Sequence, residues 1–364
     1  MVVPPWYELP PQGYGGLETI VAALVDGLVE RGHHVTLFGA GRRTGTRAAF
    51  VGTVAEPQYP RLGQVMPEVL HIARVNALLR DGDFDVVHDH TTAGPATARS
   101  RPAPTVVTVH HAPDREFGEY LAALGDQVDL VAISRAQRRL RPELNWVSTV
   151  HNAIRVGDFA GPRTGGGPVL WLARFSPDKG PDLAIEACRR AGLPLVLVGK
   201  CMERAEVRYL DEVIRPMLGD DVELIVNADR STCRELLSRA RCLVLPIRWN
   251  EPFGMVMIEA MAAGTPVVAL RRGAVPEVVR HGVTGFVCDD LDELAQALLD
   301  VTDLEPRACV DHVTRHFAAD LMVRRYERVY RAAIGRARPT RRTTVDDVLS
   351  APSPIGQAQP AVGP

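Results

Sequence analysis

The sequence predicts an α/β protein made of two doubly wound parallel-sheet domains, and three observations carry that expectation. Short apolar strands alternate with segments of helical spacing along most of the chain, a pattern that belongs to parallel sheets covered on both faces. The stretch Asp158–Gly167 is rich in glycine and has the composition of a linker, and it divides the strands into two series of similar size. At 364 residues the chain is long enough for two cores. The expected organisation is a first domain at 1–157, a linker at 158–167 and a second domain at 168–335, whose last helix is free to pack back on the first. A disordered tail of Arg, Thr, Pro, Ser and Gln is expected at 336–364.

The first domain opens with a Pro-rich loop carrying Gly13, Gly15 and Gly16 before an amphipathic helix near Glu18–Arg31, followed by a strand at Val35–Phe38. Glycines at a helix start let a ligand approach the backbone closely, so this loop reads as a substrate loop. Only Met1–Val3 precede it, which is short for a first strand, so the natural start is expected to lie upstream. A helix near Glu68–Arg80 leads to strands at Phe84–His88, Thr105–His110, Leu130–Ser134 and Ser148–Val150. Ligands of such sheets gather at the C-terminal strand ends. His88, His90, His110 and His111 all fall there, and His110, which directly ends TVVTVH, is the preferred functional histidine.

The second series has strands at Val169–Ala173, Leu195–Val198, Val222–Val226, Leu243–Leu245 and Val267–Leu270, with Gly285–Cys288 as a short edge strand. Helical segments are expected at Pro181–Ala191, Glu203–Met217, Ser231–Ala240, Gly254–Ala263, Leu291–Thr302 and Asp320–Ala333. Leu243–Leu270 is a strand, loop, helix and strand in which the free N–H groups at the helix start favour an anion such as phosphate. Glu251 sits just before that helix, where a cap is the plain alternative. Glu259 lies inside a helix that is apolar nearly all round, where a carboxylate is costly unless it is paired or hydrogen-bonded. The two acids are eight residues apart and are expected to face one cavity, where they would accept bonds from neutral hydroxyls. Arg174 and Lys179, in RFSPDKG after the first strand of this series, are placed to converge on the same anion.

Composition excludes several classes. A net charge of −2 and no apolar run of spanning length describe a soluble globular protein, and no signal peptide precedes the first structured segment, so the cytoplasm is expected. The six cysteines show no Cys-x-x-Cys spacing and read as reduced thiols. Asp81, Asp83 and Asp85 precede their strand and read as a surface turn, so no obligatory metal and no other cofactor is expected. Gly39-Ala-Gly41 opens no clear helix, which argues against a dinucleotide fingerprint. No basic surface interleaved with aromatics suggests nucleic acid. For the basic run Arg135–Arg141, a solvated helix face is favoured over peripheral membrane contact.

The run Glu251-Pro-Phe-Gly-Met-Val-Met-Ile-Glu259-Ala-Met-Ala-Ala-Gly-Thr-Pro-Val-Val resembles the E-x7-E signature of retaining GT-B glycosyltransferases, specifically family 4. The GYGG loop, His110, the Asn152 turn, RFSPDKG and GAVPEVVRHGVTGFV extend the likeness from Pro4 to about Ala333. The resemblance implies the GT-B fold, two Rossmann-like domains facing across a cleft, with a nucleotide-sugar donor held mainly by the second. It implies that Arg174 and Lys179 bind the diphosphate, that backbone around Phe253, Gly254, Met255 and Val256 adds N–H groups, and that Glu259 holds the ribose hydroxyls. Glu251 would contact the donor sugar, His110 would be the active-site histidine, and Gly15 and Gly16 would close near the phosphates. Transfer of this kind retains anomeric configuration without metal, the departing phosphate helping to deprotonate the acceptor. UDP-hexose is the first expected donor. The acceptor, whether lipid, polysaccharide, metabolite or natural product, is left open, and a catalytically weak nucleotide-sugar-binding accessory protein is the alternative. Three departures from the family pattern stand out: Asn152-Ala-Ile at the hinge, Val198-Gly199-Lys200-Cys201, and Arg271-Arg272-Gly273-Ala274 where a glycine pair is usual.

Overall fold

In a computed structural model, which describes residues 1–11, 15–159, 161, 163 and 165–336, the chain forms two parallel α/β units. Gly13, parts of the linker and everything beyond Arg336, including the expected disordered tail, lie outside the described residues. The first unit contains β1 (Thr36–Ala40), β2 (Ala49–Val54), β3 (Val87–Asp89), β4 (Thr105–Val109), β5 (Asp129–Ala132) and β6 (Trp146–Thr149). All their pairings are parallel.

Met1–Val3, which looked too short for a first strand, nonetheless fills the strand slot between β1 and β3. Val2 bridges in parallel to both Phe38 and Asp89, the Val3 N–H donates to the Phe38 carbonyl at 3.1 Å, and the His90 N–H donates to the Val2 carbonyl at 2.9 Å. Val2 and Val3 are fully buried, and a strand bonded on both sides needs few residues to be held. The first sheet thus runs β2, β1, Met1–Val3, β3, β4, β5, β6. Sequence reading missed β2, because AFVGTV follows β1 without an intervening helix.

The second unit contains β7 (Val169–Arg174), β8 (Leu195–Lys200), β9 (Val222–Val226), β10 (Leu243–Leu245), β11 (Val267–Leu270) and β12 (Gly285–Cys288). They lie in the order β12-β11-β10-β7-β8-β9, with β12 the edge strand that GFVC suggested. The single helix expected at Glu203–Met217 is instead an α-turn segment Arg204–Tyr209, a π turn Leu210–Ile214 and a 3-10 turn Arg215–Met217. Pro216 has no N–H to continue an α-helix there. Strand order reverses between β7 and β10, and in the first sheet between Met1–Val3 and β3. Crevices for ligands open at such reversals, beyond the C-terminal strand ends.

The chain crosses between the units twice, side by side. The Ile154 N–H donates to the Phe317 carbonyl at 3.0 Å, and the Ala319 N–H donates to the Ile154 carbonyl at 2.9 Å. The second crossing delivers the helix Ala319–Arg336 onto the first unit. There Val323 covers Gly27, where a Cβ would stand 2.5 Å from Val323 Cγ2. Tyr326 OH lies 2.7 Å from Thr108 Oγ1, and Tyr330 OH lies 2.7 Å from His88 Nδ1. Glu327, also on this helix, accepts from Arg31 Nε at 2.8 Å and Arg31 Nη2 at 2.9 Å and lies 3.0 Å from His33 Nε2. A second brace crosses the cleft: Glu277 of the second unit accepts from the Arg135 N–H at 2.9 Å and the Ala136 N–H at 3.1 Å at the start of the helix Arg135–Leu140, and lies 2.6 Å from His151 Nε2.

Hydrogen bonds from Arg31 and His33 pull the Glu327 carboxyl down to about 2. A carboxyl depressed in the folded state stabilises the fold fully above the ordinary carboxylate range and loses that contribution as pH falls toward its folded value. In denaturant titrations, the stability gap between the parent and Glu327→Gln is therefore expected to be widest near pH 6 and to shrink steadily by pH 2.5. A gap that does not change with pH would contradict the assignment.

Candidate active site

The site starts from β7. Its Trp171 points Nε1 at the Lys179 carbonyl, 3.1 Å away, and so holds the turn Pro177–Lys179 over the strand end. Gly180 ends that turn at φ +67° with a Cβ position only 2.2 Å from the Pro246 carbonyl oxygen, so no larger residue fits. Arg248, beyond β10, donates its N–H to the Asp178 carbonyl at 2.8 Å and grips Asp182 at 2.8 and 2.5 Å. Lys179 is thus fixed beside the β7/β10 reversal. Its Nζ lies 2.5 Å from Glu251 Oε2 and 4.5 Å above the Trp249 ring, and Trp249 Nε1 donates to the same carboxylate oxygen at 3.1 Å. Glu251 is held in turn by its own carbonyl, which accepts from the Ala274 N–H at 2.8 Å. Gly273, at φ +50°, presses against it, with a Cβ position 2.2 Å from the Glu251 carbonyl oxygen.

A cavity of about 240 Å³ opens here between the two units. Gly16 and His110 border it from the first unit, and Arg174, Lys179, Glu251 and the residues Phe253–Val256 from the second. Most of the residues singled out in the sequence therefore meet at one place. Gly254 takes a left-handed φ of +81° and turns the chain into the helix Met255–Ala262. Across the cleft Gly16 is so close that a Cβ on it would stand 3.7 Å from Met255 Cγ. Arg174, at the tip of β7, is 3.6 Å from the buried Glu206.

The expectation that Glu251 and Glu259 face one cavity with both carboxylates free is corrected. Glu251 stands before the helix and is already engaged by Lys179 and Trp249. Glu259, in the second turn of the helix, borders an adjoining space of about 30 Å³ together with Gly15, Gly16, Arg230 and Arg234. Among the described residues no group hydrogen-bonds the Glu259 carboxylate. Burial pushes it up to about 7, against the pull of Arg230 and Arg234.

His110 lies at the end of β4 with Nε2 2.9 Å from His90 Nδ1, and the two rings are 5.2 Å apart. Burial, with a smaller push from His111, lowers its pKa to about 3. A histidine whose pKa is held that far below the physiological range is a weak base, so the ring is suited to hydrogen bonding more than to proton abstraction. His88 and His90, the other strand-end candidates, are buried and neutral as well, with His88 spent on Tyr330 and Thr108. Sequence reading did not single out Trp249, Arg230, Arg234 or Tyr7. Tyr7 meets Lys200 Nζ at 2.8 Å across the cleft; Lys200 had stood out in the sequence within the departure Val198-Gly199-Lys200-Cys201. The basic run Arg135–Arg141 begins as a helix whose first N–H groups serve the Glu277 brace.

Residues 161–310 match the family Glycosyl transferases group 1, and residues 14–118 match Glycosyltransferase Family 4. The chain belongs to this family of glycosyltransferases. It is 28% identical over 353 residues to a glycogen synthase of Mycobacterium tuberculosis, covering 82% of this chain and 84% of that protein. It is 28% identical over 337 residues to a phosphatidyl-myo-inositol mannosyltransferase of Mycolicibacterium smegmatis, covering 83% and 84%. Among solved structures, AviGT4, a glycosyltransferase involved in avilamycin A biosynthesis, superposes with a TM-score of 0.70 at 25% identity, covering 92% of this chain and 97% of AviGT4. The two units and the cleft between them are accordingly a GT-B fold. Within this glycosyltransferase, at the departure Arg271-Arg272, Arg271 pairs with Asp289 and Arg272 donates to the Arg271 carbonyl at 3.0 Å. Asn152 is buried and borders the main cavity.

An acid whose pKa is raised on folding opposes the folded state once it ionises, so the cost of Glu259 grows as pH rises from the ordinary carboxylate range through about 7. Glu259→Gln is expected to unfold at a higher temperature than the parent at pH 8, with the advantage gone by pH 4.5. Thermal unfolding across this range checks it, and an advantage independent of pH would count against a half-buried, unpartnered carboxylate.

Proposed function

We propose that this protein transfers a hexosyl group from a nucleotide-diphosphate sugar, UDP-hexose in the first instance, to a hydroxyl acceptor, with retention at the anomeric carbon and without an obligatory metal. The observation that carries the reading is the Glu259 carboxylate, half-buried beside a small cavity and without a hydrogen-bond partner among the described residues. A carboxylate partly withdrawn from water and left unpartnered is costly, and a ribose diol supplies the two donors that would relieve it. The cavity next to it supports the rest of the donor. Its N–H groups at the start of Met255–Ala262 favour an anion, and Arg174 and Lys179 add positive charge where the diphosphate would depart. Glu251, braced by Lys179, would accept from a hydroxyl of the transferred sugar. His110, neutral, would hydrogen-bond that sugar from the opposite wall, and Gly15 and Gly16 let the first unit close on the phosphates.

Two structures of similar fold, both of Anabaena HepE at 19% identity, hold UDP-glucose in one case and UDP with glucose in the other. They support the same donor class here. With Glu251 already paired to Lys179, the departing phosphate is the better placed group to take the acceptor proton, so no covalent nucleophile is assigned.

Calorimetric titration with UDP, followed by a nucleotide-sugar panel with and without chelator, tests the reading. Transfer or donor hydrolysis is expected to survive EDTA, and Glu259→Ala is expected to lower the rate by more than about 10²-fold, the size of effect that misplacing a reactant causes. If ribose hydroxyls donate to Glu259, UDP binding near pH 7 should release protons in the parent and not in Glu259→Gln. Strict dependence on added metal would overturn the role given to Arg174 and Lys179. UDP binding with no turnover on any donor would favour the accessory protein.

A further inference from the structure

A second cavity, of about 360 Å³, belongs to the first unit. It opens at that sheet's own order reversal, between the loop leaving Met1–Val3 and the loop leaving β3, where α/β sheets take ligands. Its volume is at the low end for small-molecule sites, roughly 300–1,000 Å³. His110 and Arg174 border both this cavity and the donor cavity, so a molecule held here would face the group being transferred.

The walls define the chemistry of that molecule. Phe117 and Tyr120 lie side by side, their rings 6.2 Å apart and inclined by 26°. The Tyr120 hydroxyl is spent on the Thr92 carbonyl at 2.6 Å, so its ring is what remains to offer. Glu18 is buried at 7% exposure, and no other described residue donates to its carboxylate. Burial raises its pKa, while a hydrogen bond from its own backbone N–H and, to a smaller extent, the positive charge of Lys200 act the other way. Glu203 and Glu68 also border the cavity, though Glu68 is occupied by the Thr92 and Ala93 N–H groups at 2.6 and 2.9 Å. The cations are engaged: Lys200 meets the Tyr7 hydroxyl at 2.8 Å and lies 4.6 Å over its ring, and Arg174 lies 3.6 Å from Glu206. The histidines are neutral. Three carboxylates thus face two cations, Lys200 and Arg174, and Arg174 also faces the donor cavity, so an anionic ligand would meet a lining of net negative charge.

We propose that this cavity takes the acceptor, and that the acceptor is a neutral polyol of sugar size, stacked against Phe117 and Tyr120 and donating a hydroxyl to Glu18. This rests on the donor reading above. It assigns Glu18 as a specificity-determining residue: a carboxylate accepts from hydroxyls and repels phosphate or carboxylate groups.

The test is a transfer assay with the donor found above, comparing glucose, maltose and myo-inositol with their monophosphates. Each neutral acceptor that is used is expected to have kcat/KM at least tenfold above its phosphate. Glu18→Gln is expected to raise the neutral acceptor's KM about tenfold, with a smaller change in kcat, and to narrow the preference over the phosphate. Phe117→Ala, at a half-buried position, is expected to raise the same KM and gives an independent readout should Glu18→Gln fail to fold. Phosphorylated acceptors used equally well or better, transfer to none of the neutral polyols, or an acceptor KM unmoved by both variants would overturn the inference. Failure of the donor reading would show separately, as no UDP or nucleotide-sugar binding by calorimetry.

Discussion

Everything at the cleft depends on a short piece of backbone pairing in which Ile154, leaving the first unit, exchanges hydrogen bonds with Phe317 and Ala319 returning to it. Two parallel sheets each present ligand-binding strand ends on one edge only, so a site shared between them exists only if those edges are turned toward each other. The paired crossings set that orientation. The helix Ala319–Arg336 then secures it with large buried contacts, Val323 on Gly27 and two tyrosines on His88 and Thr108. Without that return, Gly16 and Met255 would have no reason to meet.

Within this frame the site distributes unfavourable charge unevenly. Lys179 and Glu251 pair with one another in a place largely shielded from water, which makes each depend on the other. Glu259 and Glu18 have no such partner. Both carboxyls are displaced upward by burial, and groups displaced in this way cluster where ligands bind. The neutral histidines fit the same economy: a buried imidazolium beside His90 and His111 would add repulsion, so these rings serve as hydrogen-bonding surfaces.

Much of this was legible in the sequence, for particular reasons. The alternation of strands and helices, the glycine loop, Arg174 with Lys179 and the E-x7-E run are local patterns, and they placed the fold, the GT-B cleft and most of the residues that meet there. What stayed hidden were relations between distant segments. That Glu251 is answered by Lys179, and so is not a free acceptor, depends on how the Pro177–Lys179 turn packs on the loop after β10. That Glu251 and Glu259 open on different spaces depends on how the loop before Met255 packs against the Pro177–Lys179 turn and on where Gly15 and Gly16 come across the cleft, which the position of the helix start does not give. Met1–Val3 seemed too few for a strand because propensity says nothing of a slot bonded on both sides. Tyr7 came into view only when the loop carrying it was seen to reach Lys200.

The brace at Glu277 sets how readily the cleft breathes. Its carboxylate, whose pKa is lowered by His151 and the helix N–H groups despite partial desolvation, joins three partners contributed by the far side of the gap or its margin. Spreading the units strips all three at once and leaves the first turn of Arg135–Leu140 without its acceptor. One side chain outside both cavities thus ties the rims of the gap together.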